Sequence, residues 1–215
     1  MHDPDARILI FAKPPVPGQS KTRLIPVLGE QGAAQLHARL VTRTLTTATQ
    51  SDLCPVELWC ADNPEHPFFK ECLSAFPVTL KQQQGADLGE RMANAFAATL
   101  TQAKRAILIG SDCPALTTTD LEAALSALKD GQDCVLKPAE DGGYVLTGLA
   151  TADHAIFAGI DWGSAQVMAQ THARLKSLDL RWHELATTWD VDRPEDLERL
   201  ENSGIYLPPP INNSL

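Results

Sequence analysis

The sequence predicts an α/β fold, a three-layer α/β/α sandwich around a mainly parallel, Rossmann-like sheet. Three observations lead to this class. Short apolar runs alternate with stretches of helical periodicity along most of the chain. Strands that alternate with helices are typical of parallel, doubly wound sheets. No linker or internal repeat interrupts the pattern, and 215 residues of which 44% are hydrophobic can form one continuous core.

The first part of the chain alternates four strands with four helices. Each strand is a short apolar run, and the third is the weakest of the four. The strands are expected at 8–12, 56–60, 78–81 and 106–109. The helices are expected at about 32–49, 67–75, 88–103 and 117–129. Thr117 or Thr118 is a suitable N-cap for the last of these helices.

The pattern changes after Gly131, where two short strands enclose a turn. The later elements are two strands, a helix, a strand and a final helix, at 134–138, 144–148, 165–175, 180–185 and after 194. The proline-rich residues 207–215 are expected to be disordered. We therefore expect one domain over residues 1–206, in which about 1–130 bind one ligand and about 131–206 complete the site.

The composition excludes several classes of protein. A net charge of −9, from 18 Lys+Arg against 27 Asp+Glu, argues against nucleic acid or an anionic membrane as a partner. The five cysteines contain no C-x-x-C pair, and no apolar run could cross a bilayer. The first seven residues lack the apolar core of a signal peptide. We expect a reduced, cytoplasmic protein and leave its oligomeric state open.

The strand at 106–109 leads through Gly110 to Asp112, at the carboxyl end where open α/β sheets bind ligands. A lone carboxylate there suits Mg²⁺ or Mn²⁺, which take oxygen ligands and often complete their shell with substrate phosphates. Asp190 and Asp192 could join Asp112 at such an ion. Alternatively, Asp112 caps the following turn and Asp192 caps the final helix.

The loop at 13–23, after the first strand, carries three cations and three prolines. Concentrated positive charge in an acidic chain favours phosphate binding, because Lys and Arg donate charge-assisted hydrogen bonds. The spacing is not that of a Walker A loop, and a solvated basic turn is the alternative. The phosphate-binding candidates in this loop are Lys13, Pro17, Gly18, Lys21 and Arg23.

The segment 84–92 opens a helix and contains two glycines. It could place backbone amides against an anion or a base edge. Alternatively, Asp87 is a plain N-cap and Glu90 completes a capping box. The candidates for nucleotide binding here are Gly85, Asp87, Leu88, Gly89 and Arg91.

Glu140 and Asp141 precede a Gly-Gly turn between the two strands of the second part. The segment could be only a hairpin turn. The two carboxylates could instead supply a general base or bind sugar hydroxyls.

These segments occur in an order that resembles the bacterial arsenosugar-biosynthesis-associated glycosyltransferases, within the nucleotide-diphospho-sugar transferase superfamily and its GT-A fold. The matching stretches are Phe11–Gly18 with Lys21–Leu24, Gly85 with Asp87–Met92, Gly110–Pro114, Glu140–Tyr144 and Asp190–Leu197. The chain is distantly similar to molybdenum-cofactor and phospholactate nucleotidyltransferases. It departs from both groups, because Ser111-Asp112-Cys113 replaces the glycosyltransferase D-x-D and a proline-rich loop replaces the nucleotidyltransferase G-G-x-G-x-R.

The resemblance implies metal-dependent transfer of a sugar from a nucleotide-sugar to a small-molecule acceptor. Nucleotidyl transfer from an NTP to a phosphorylated small molecule, with pyrophosphate release, is the alternative, and a non-catalytic nucleotide-binding protein is a third possibility. Residues 1–130 would then hold the nucleotide. Asp112 with Asp192, or with Asp190 instead, would hold Mg²⁺ or Mn²⁺.

The second half would then bind the acceptor. Asp141, or Glu140 in its place, would deprotonate an acceptor hydroxyl. Gly142, Gly143 and Tyr144 would contact the acceptor. The implied partners are thus a nucleotide or nucleotide-sugar and a small acceptor, with no nucleic acid and no membrane.

Overall fold

The computed structural model describes residues 2–211 and has the predicted alternation of strands and helices. Within these residues the strands are β1 (Ala6–Ala12), β2 (Val56–Cys60), β3 (Val78–Gln82), β4 (Arg105–Gly110), β5 (Cys134–Pro138), β6 (Tyr144–Leu149) and β7 (Trp182–Glu184). The helices of the same part are α1 (Ile25–Gln50), α2 (Pro67–Ala75), α3 (Leu88–Thr99), α4 (Thr118–Lys129), α5 (Val167–Ser177) and α6 (Pro194–Asn202). Short 3₁₀ turns lie at Thr22–Leu24 and His154–Phe157.

The strands form one sheet in the order β3-β2-β1-β4-β6-β5-β7. Neighbouring strands are parallel except at β6, which lies antiparallel between β4 and β5. The carboxyl ends of β1, β4 and β5 therefore meet the amino end of β6 at one edge. The strand order reverses between β1 and β4, and ligands of open α/β sheets bind in the crevice at such a switch point.

Two apolar layers cover the sheet, because successive side chains of a strand point to opposite faces. Ile8 and Ile10 of β1 pack with α1, α2 and α4 on one face. Leu9 and Phe11 pack with α3 and α5 on the other. This arrangement confirms the three-layer α/β/α prediction. All five cysteines are buried free thiols, and no helix among residues 2–211 is long and apolar enough to cross a membrane.

Helix boundaries differ from the sequence prediction where glycine interrupts the apolar spacing. Helix α1 begins at Ile25 rather than near residue 32, and Gly29 inside it has a φ of 69° that kinks the helix. The sequence pattern detects the part after the kink. Helix α4 follows the prediction, because Thr117 accepts a hydrogen bond from the backbone N–H of Asp120 and completes a capping box.

The residues that follow α6 contact α1 as far as they are described. Leu207 is 5% exposed and packs beside Leu36 and Leu40. The Arg39 guanidinium donates to the Leu207 carbonyl oxygen at 2.8 Å. The structure thus differs from the predicted disordered tail at Leu207, because an apolar side chain there finds a groove on α1. Residues 212–215 of that tail lie outside the described residues.

Gly89 provides a test of how α3 packs against the segment before α5. A Cβ atom at Gly89 would lie 2.5 Å from Trp162 Nε1 and 2.9 Å from the backbone oxygen of Phe157. We expect Gly89→Ala to lower the free energy of unfolding by about 1–3 kcal/mol, because overpacking forces the backbone to shift. Urea unfolding measures the loss. Gly110→Ala is the control, since a Cβ there meets no atom within 4 Å, and equal stabilities of the two variants would contradict this packing.

Candidate active site

A cleft opens at the sheet edge where β1 and β4 end. It has two chambers, which share the residues Phe11, Leu88 and Gly110. The cationic chamber, of about 550 Å³, is lined among others by Lys13, Lys21, Arg23, His37, Arg91 and Asp112. The aromatic chamber, of about 230 Å³, is lined among others by Phe11, Asp141, Tyr144, Thr147, Trp162 and Asp190.

The cationic chamber is built largely by the loop after β1 and by the start of α3. Ser20 is buried in that loop, where its hydroxyl donates to the Pro14 carbonyl and accepts from the Val16 N–H, both at 3.0 Å. These bonds fix the proline-rich turn. Lys13 and Arg23 extend from it as exposed side chains, and Arg91 faces the same space from α3.

Lys21 lines the cationic chamber but is buried in an ion pair, and its role in phosphate binding stays a prediction. Its side chain is 4% exposed, and Nζ lies 2.7 Å from Asp112 Oδ1. The same ammonium donates to the Val191 carbonyl at 2.6 Å, and the Val191 N–H donates to the Asp112 carbonyl at 2.9 Å. Lys21 also has a φ of 50°, a left-handed conformation that costs a non-glycine residue energy and that its surroundings must enforce.

Asp112 is an anionic group of the cleft whose negative charge is stabilised by neighbouring side chains. Burial acts to raise the pKa of its carboxyl, but the Lys21 ammonium and the His37 ring outweigh burial and hold that pKa well below its usual range. The Oδ1 atom is buried, yet the side chain is 45% exposed. The exposed part of this side chain lines the cationic chamber, where a ligand can reach it.

His37, on α1, is a contact of Asp112 that the sequence did not suggest. Its Nε2 lies 3.0 Å from the Lys13 carbonyl oxygen, and its Nδ1 lies 3.8 Å from Asp112 Oδ1. The histidines have no ligand spacing in the sequence, so the pattern gave no reason to select this one. A polar residue at a buried position of α1 is the signal that could have found it.

Asp192 pairs with Arg23 across the mouth of the cationic chamber. Both side chains are partly exposed, at 39% and 63% respectively. The alternative role of Asp192 as a helix cap is wrong, because Asp196 accepts the N–H bonds of Asp192 and Arg193 at 2.9 and 2.7 Å. Each of these two predicted metal ligands is thus paired with a cation of the loop after β1.

Two carboxylates line the aromatic chamber. Asp141 is exposed, and its Oδ1 accepts the Gly143 N–H at 2.9 Å, which orients it on the turn between β5 and β6. Burial raises the pKa of Asp190 to about 6, and the neighbouring carboxylates of Asp141 and Asp112 add to the rise. Gly143 and Tyr144 line the same chamber.

Glu140 lies outside both chambers. Its carboxylate pairs with the Arg199 guanidinium through two contacts of 2.6 and 2.9 Å. Arg199 in turn lies 4.6 Å from the centroid of the Trp189 ring. Of the two predicted catalytic acids, the structure therefore brings only Asp141 to the cleft.

Most of the predicted glycines shape the backbone instead of lining the chambers. Gly85 has a φ of 143°, and a Cβ there would lie 2.7 Å from the Arg91 backbone nitrogen. Gly142 has a φ of 91° and abuts the backbone of Ala165. Only a residue without a side chain fits these positions. Pro17 and Gly18 also lie outside the chamber linings.

Asp87 acts as the N-cap of α3, since it accepts the Glu90 N–H at 2.9 Å. Glu90 reaches back to the Ala86 N–H at 2.8 Å, one residue before the position that a capping box would use. Of this segment, Leu88 and Arg91 line the cationic chamber. Gly89, like Gly85, has a packing role.

Trp162 and Thr147 line the aromatic chamber and were not selected from the sequence. Trp162 meets the Tyr144 ring edge-on at a centroid distance of 6.2 Å. Thr147 is 1% exposed, and its hydroxyl has no hydrogen-bond partner among residues 2–211. In the sequence, a tryptophan before a Gly-Ser pair in a loop is only a weak signal for a binding site. Thr147 gives no signal at all, because it looks like any other strand residue.

A divalent cation fits the carboxylates of this cleft. Asp112, Asp141 and Asp192 supply hard oxygen atoms, and their charges add to the burial that raises the pKa of Asp190. Within the described part of the chain, no group of three or more Asp, Glu, His or Cys side chains is arranged to hold a metal ion. An ion here would need further ligands from phosphate or water, which is ordinary for Mg²⁺.

The chain belongs to the DUF2064 family, which is described as "Uncharacterized protein conserved in bacteria" and matches residues 44–164. No curated protein sequence matches the chain. Among solved structures, the chain is similar to a protein of Desulfovibrio desulfuricans G20 that carries a provisional assignment as a nucleotide-diphospho-sugar transferase. The two share 31% identity over 94% of this chain and 88% of that one, with a TM-score of 0.84.

Two further structures share the fold at low identity. CMP:2-keto-3-deoxy-manno-octonic acid synthetase, complexed with CTP, is 14% identical over 93% of this chain and 98% of that one, with a TM-score of 0.60. Rv0371c of Mycobacterium tuberculosis H37Rv, complexed with manganese, is 16% identical over 92% and 98%, with a TM-score of 0.54. The likeness to nucleotide-diphospho-sugar transferase structures confirms the predicted fold. Membership of the arsenosugar-associated group stays a prediction.

Removal of the Lys21 ammonium tests its structural role. We expect Lys21→Met to lower the free energy of unfolding by about 1–3 kcal/mol, because Asp112 and the Val191 carbonyl lose their buried donor. Arg23→Met is the control. Its ion pair is partly exposed, so a loss of about 0–1 kcal/mol is expected. Chemical denaturation measures both, and equal losses would show that Lys21 does not hold the cleft together.

Proposed function

We propose that the protein is a transferase that moves a sugar from a nucleotide-diphospho-sugar to a hydroxyl group of a small acceptor. The observation that carries this proposal is the difference in charge between two adjoining chambers. Cations line the first, which suits a diphosphate. Aromatic and aliphatic side chains with two carboxylates line the second, which suits an acceptor. The wall shared by the chambers, at Phe11, Leu88 and Gly110, would bring the two substrates together.

The donor diphosphate would lie among Lys13, Arg23 and Arg91. These cations reach the cationic chamber without being buried in a structural ion pair, in contrast to Lys21. Charge-assisted hydrogen bonds from Lys and Arg suit phosphate oxygens. The residues that line the two chambers support the proposal that about residues 1–130 bind the donor and about 131–206 bind the acceptor, within one domain.

Asp141 is our candidate for the general base. It would take the proton of the acceptor hydroxyl as that oxygen bonds to the anomeric carbon and the bond from carbon to diphosphate breaks. Its Oδ1 is oriented by the Gly143 N–H, so the carboxylate is held on the turn that borders the aromatic chamber. Asp190 lines the same chamber and is the second choice.

Asp112, together with Asp192 or Asp190, would hold Mg²⁺ or Mn²⁺ through carboxylate oxygens. Such an ion supplies positive charge that stabilises a departing diphosphate. The exposed part of Asp112 supports this assignment. A relative of the same fold is a manganese complex.

Nucleotidyl transfer is the second candidate, because the cationic chamber has room and charge for a triphosphate as well. A relative of this fold is a synthetase complexed with CTP. The aromatic chamber counts against a phosphorylated acceptor, since no Lys, Arg or His among residues 2–211 lines it. A phosphate there would face Asp141 and Asp190 without a counter-charge.

The products distinguish these candidates. With Mn²⁺ and a panel of nucleotide-sugars, we expect slow release of a nucleoside diphosphate and free sugar as water replaces the acceptor, measured by chromatography. Asp141→Asn should retain donor binding and lose this turnover, because the amide cannot take the proton. Pyrophosphate release from an NTP would favour the second candidate instead. Nucleotide binding without any turnover would leave a non-catalytic binding protein.

Two arginine variants test whether Arg91 binds the donor. Arg91→Met is the test, and Arg181→Met is the control for a general loss of positive charge. Arg91→Met should weaken nucleotide binding by about 1.5–3 kcal/mol, the cost of a lost charged hydrogen bond. Arg181→Met removes the same charge beside Asp133, at the opposite edge of the sheet. It should bind as the wild type does, in calorimetric titration.

We expect nucleotide binding to depend on a divalent ion held by Asp112. Asp112→Asn should lose the ion-dependent part of the affinity and keep the part due to the cations, because the amide is a poor ligand for Mg²⁺ or Mn²⁺. Proton relaxation during manganese titration, with nucleotide present, measures the bound ion. Glu140→Gln, which changes a carboxylate outside the cleft, is the control. Equal enhancement in Asp112→Asn and the wild type would make Asp112 a structural residue.

A further inference from the structure

The aromatic chamber has a charge pattern that narrows the class of acceptor. Asp141 and Asp190 line it, and no Lys, Arg or His of the described residues 2–211 does. The charged neighbours of Asp190 are the carboxylates of Asp141, Asp112 and Asp192 and one cation, the Lys21 ammonium. The chamber thus concentrates negative charge within a mostly apolar wall.

The cations nearest to these acids are already engaged. The Lys21 ammonium contacts Asp112 and the Val191 carbonyl. Arg23 pairs with Asp192, and Arg199 pairs with Glu140. Within residues 2–211, neither Asp141 nor Asp190 forms an ion pair of its own, because Lys21, the one cation that acts on Asp190, is bound to Asp112. A positive group on a ligand would therefore meet a net negative charge.

The remaining wall supplies the other contacts that an organic cation needs. Phe11, Tyr144 and Trp162 line the chamber, and aromatic side chains attract ammonium groups through their ring electrons. Thr147 also lines it, and its hydroxyl is buried without a hydrogen-bond partner within residues 2–211. The Cys134 thiol is its polar neighbour, and a thiol is only a weak hydrogen-bond partner. Since buried polar groups are normally well paired, the hydroxyl favours a polar ligand group at the chamber.

We propose that the aromatic chamber selects an acceptor that carries a positively charged amino group besides its hydroxyl. This inference rests on the proposed function only in treating the chamber as the acceptor site. Asp190 faces the ammonium group, aromatic side chains surround it, and Asp141 stays with the hydroxyl. An anionic acceptor is repelled, and a neutral one lacks the electrostatic contribution.

A matched pair of probes tests the inference. Choline has a hydroxyl and a permanent positive charge, and dimethylbutanol has the same shape with carbon in place of nitrogen. Both are titrated by calorimetry into the full-length protein, with a chelator present so that no metal ion occupies the carboxylates. We expect choline to bind roughly tenfold more tightly than dimethylbutanol. Equal affinities, or no detectable binding of choline, would overturn the inference.

Two variants test whether the preference for choline over dimethylbutanol depends on Asp190. Asp190→Asn should abolish the preference for choline, and it should fold because it relieves repulsion among carboxylates. Asp161→Asn makes the same change beside Trp162 on a carboxylate outside the chamber lining, and the preference should persist. If Asp190→Asn keeps the preference while its melting temperature matches the wild type, the cation binds elsewhere and the inference fails.

Nucleoside diphosphate binding is measured in the same samples with manganese in place of the chelator. If the nucleotide binds and choline does not, the ammonium inference fails while the proposed function stands. If choline binds as expected but no nucleotide does, the proposed function fails while the assignment of the chamber stands.

Discussion

The cleft depends on one buried ammonium group. Lys21 joins the loop after β1 to the end of β4 through Asp112, and to the segment before α6 through the Val191 carbonyl. These segments are far apart in sequence, and each carries candidate site residues. Lys21 also has a left-handed backbone, which is unfavourable for a non-glycine residue and persists only where the surrounding structure enforces it. The Val191 N–H adds a backbone hydrogen bond to the Asp112 carbonyl at 2.9 Å, so side-chain and backbone contacts together hold Asp112 beside the segment that carries Asp190 and Asp192.

The fold was predictable where local sequence carries the information. Apolar runs identify the strands, and the Thr117 capping box defines the start of α4. The position of β6 was not predictable in the same way. A hairpin turn shows that β5 and β6 pair, but it does not show that β6 lies between β4 and β5. The first turns of α1 were also hidden, because Gly29 breaks the spacing.

The location of a candidate site residue was predictable from the sequence where the residue directly follows a predicted strand. Asp112 ends a buried strand, and Asp141 lies on the turn after β5. The partners of the charged residues were not predictable, because they depend on distant segments. Lys21 reaches residue 191, and Glu140 is removed from the cleft by Arg199, fifty-nine positions away. Composition identifies a cationic loop, but it cannot show which of its cations are exposed in the cleft and which are buried in ion pairs.

The two chambers share only a small part of their walls, at Phe11, Leu88 and Gly110. Most of the remaining wall of each comes from a different part of the chain. Inherited changes in the turn between β5 and β6, or around Trp162, can therefore alter one chamber while the other is preserved. Such an architecture lets a lineage change the lining of one chamber at a time, and the three shared positions are those at which a single replacement would affect both chambers.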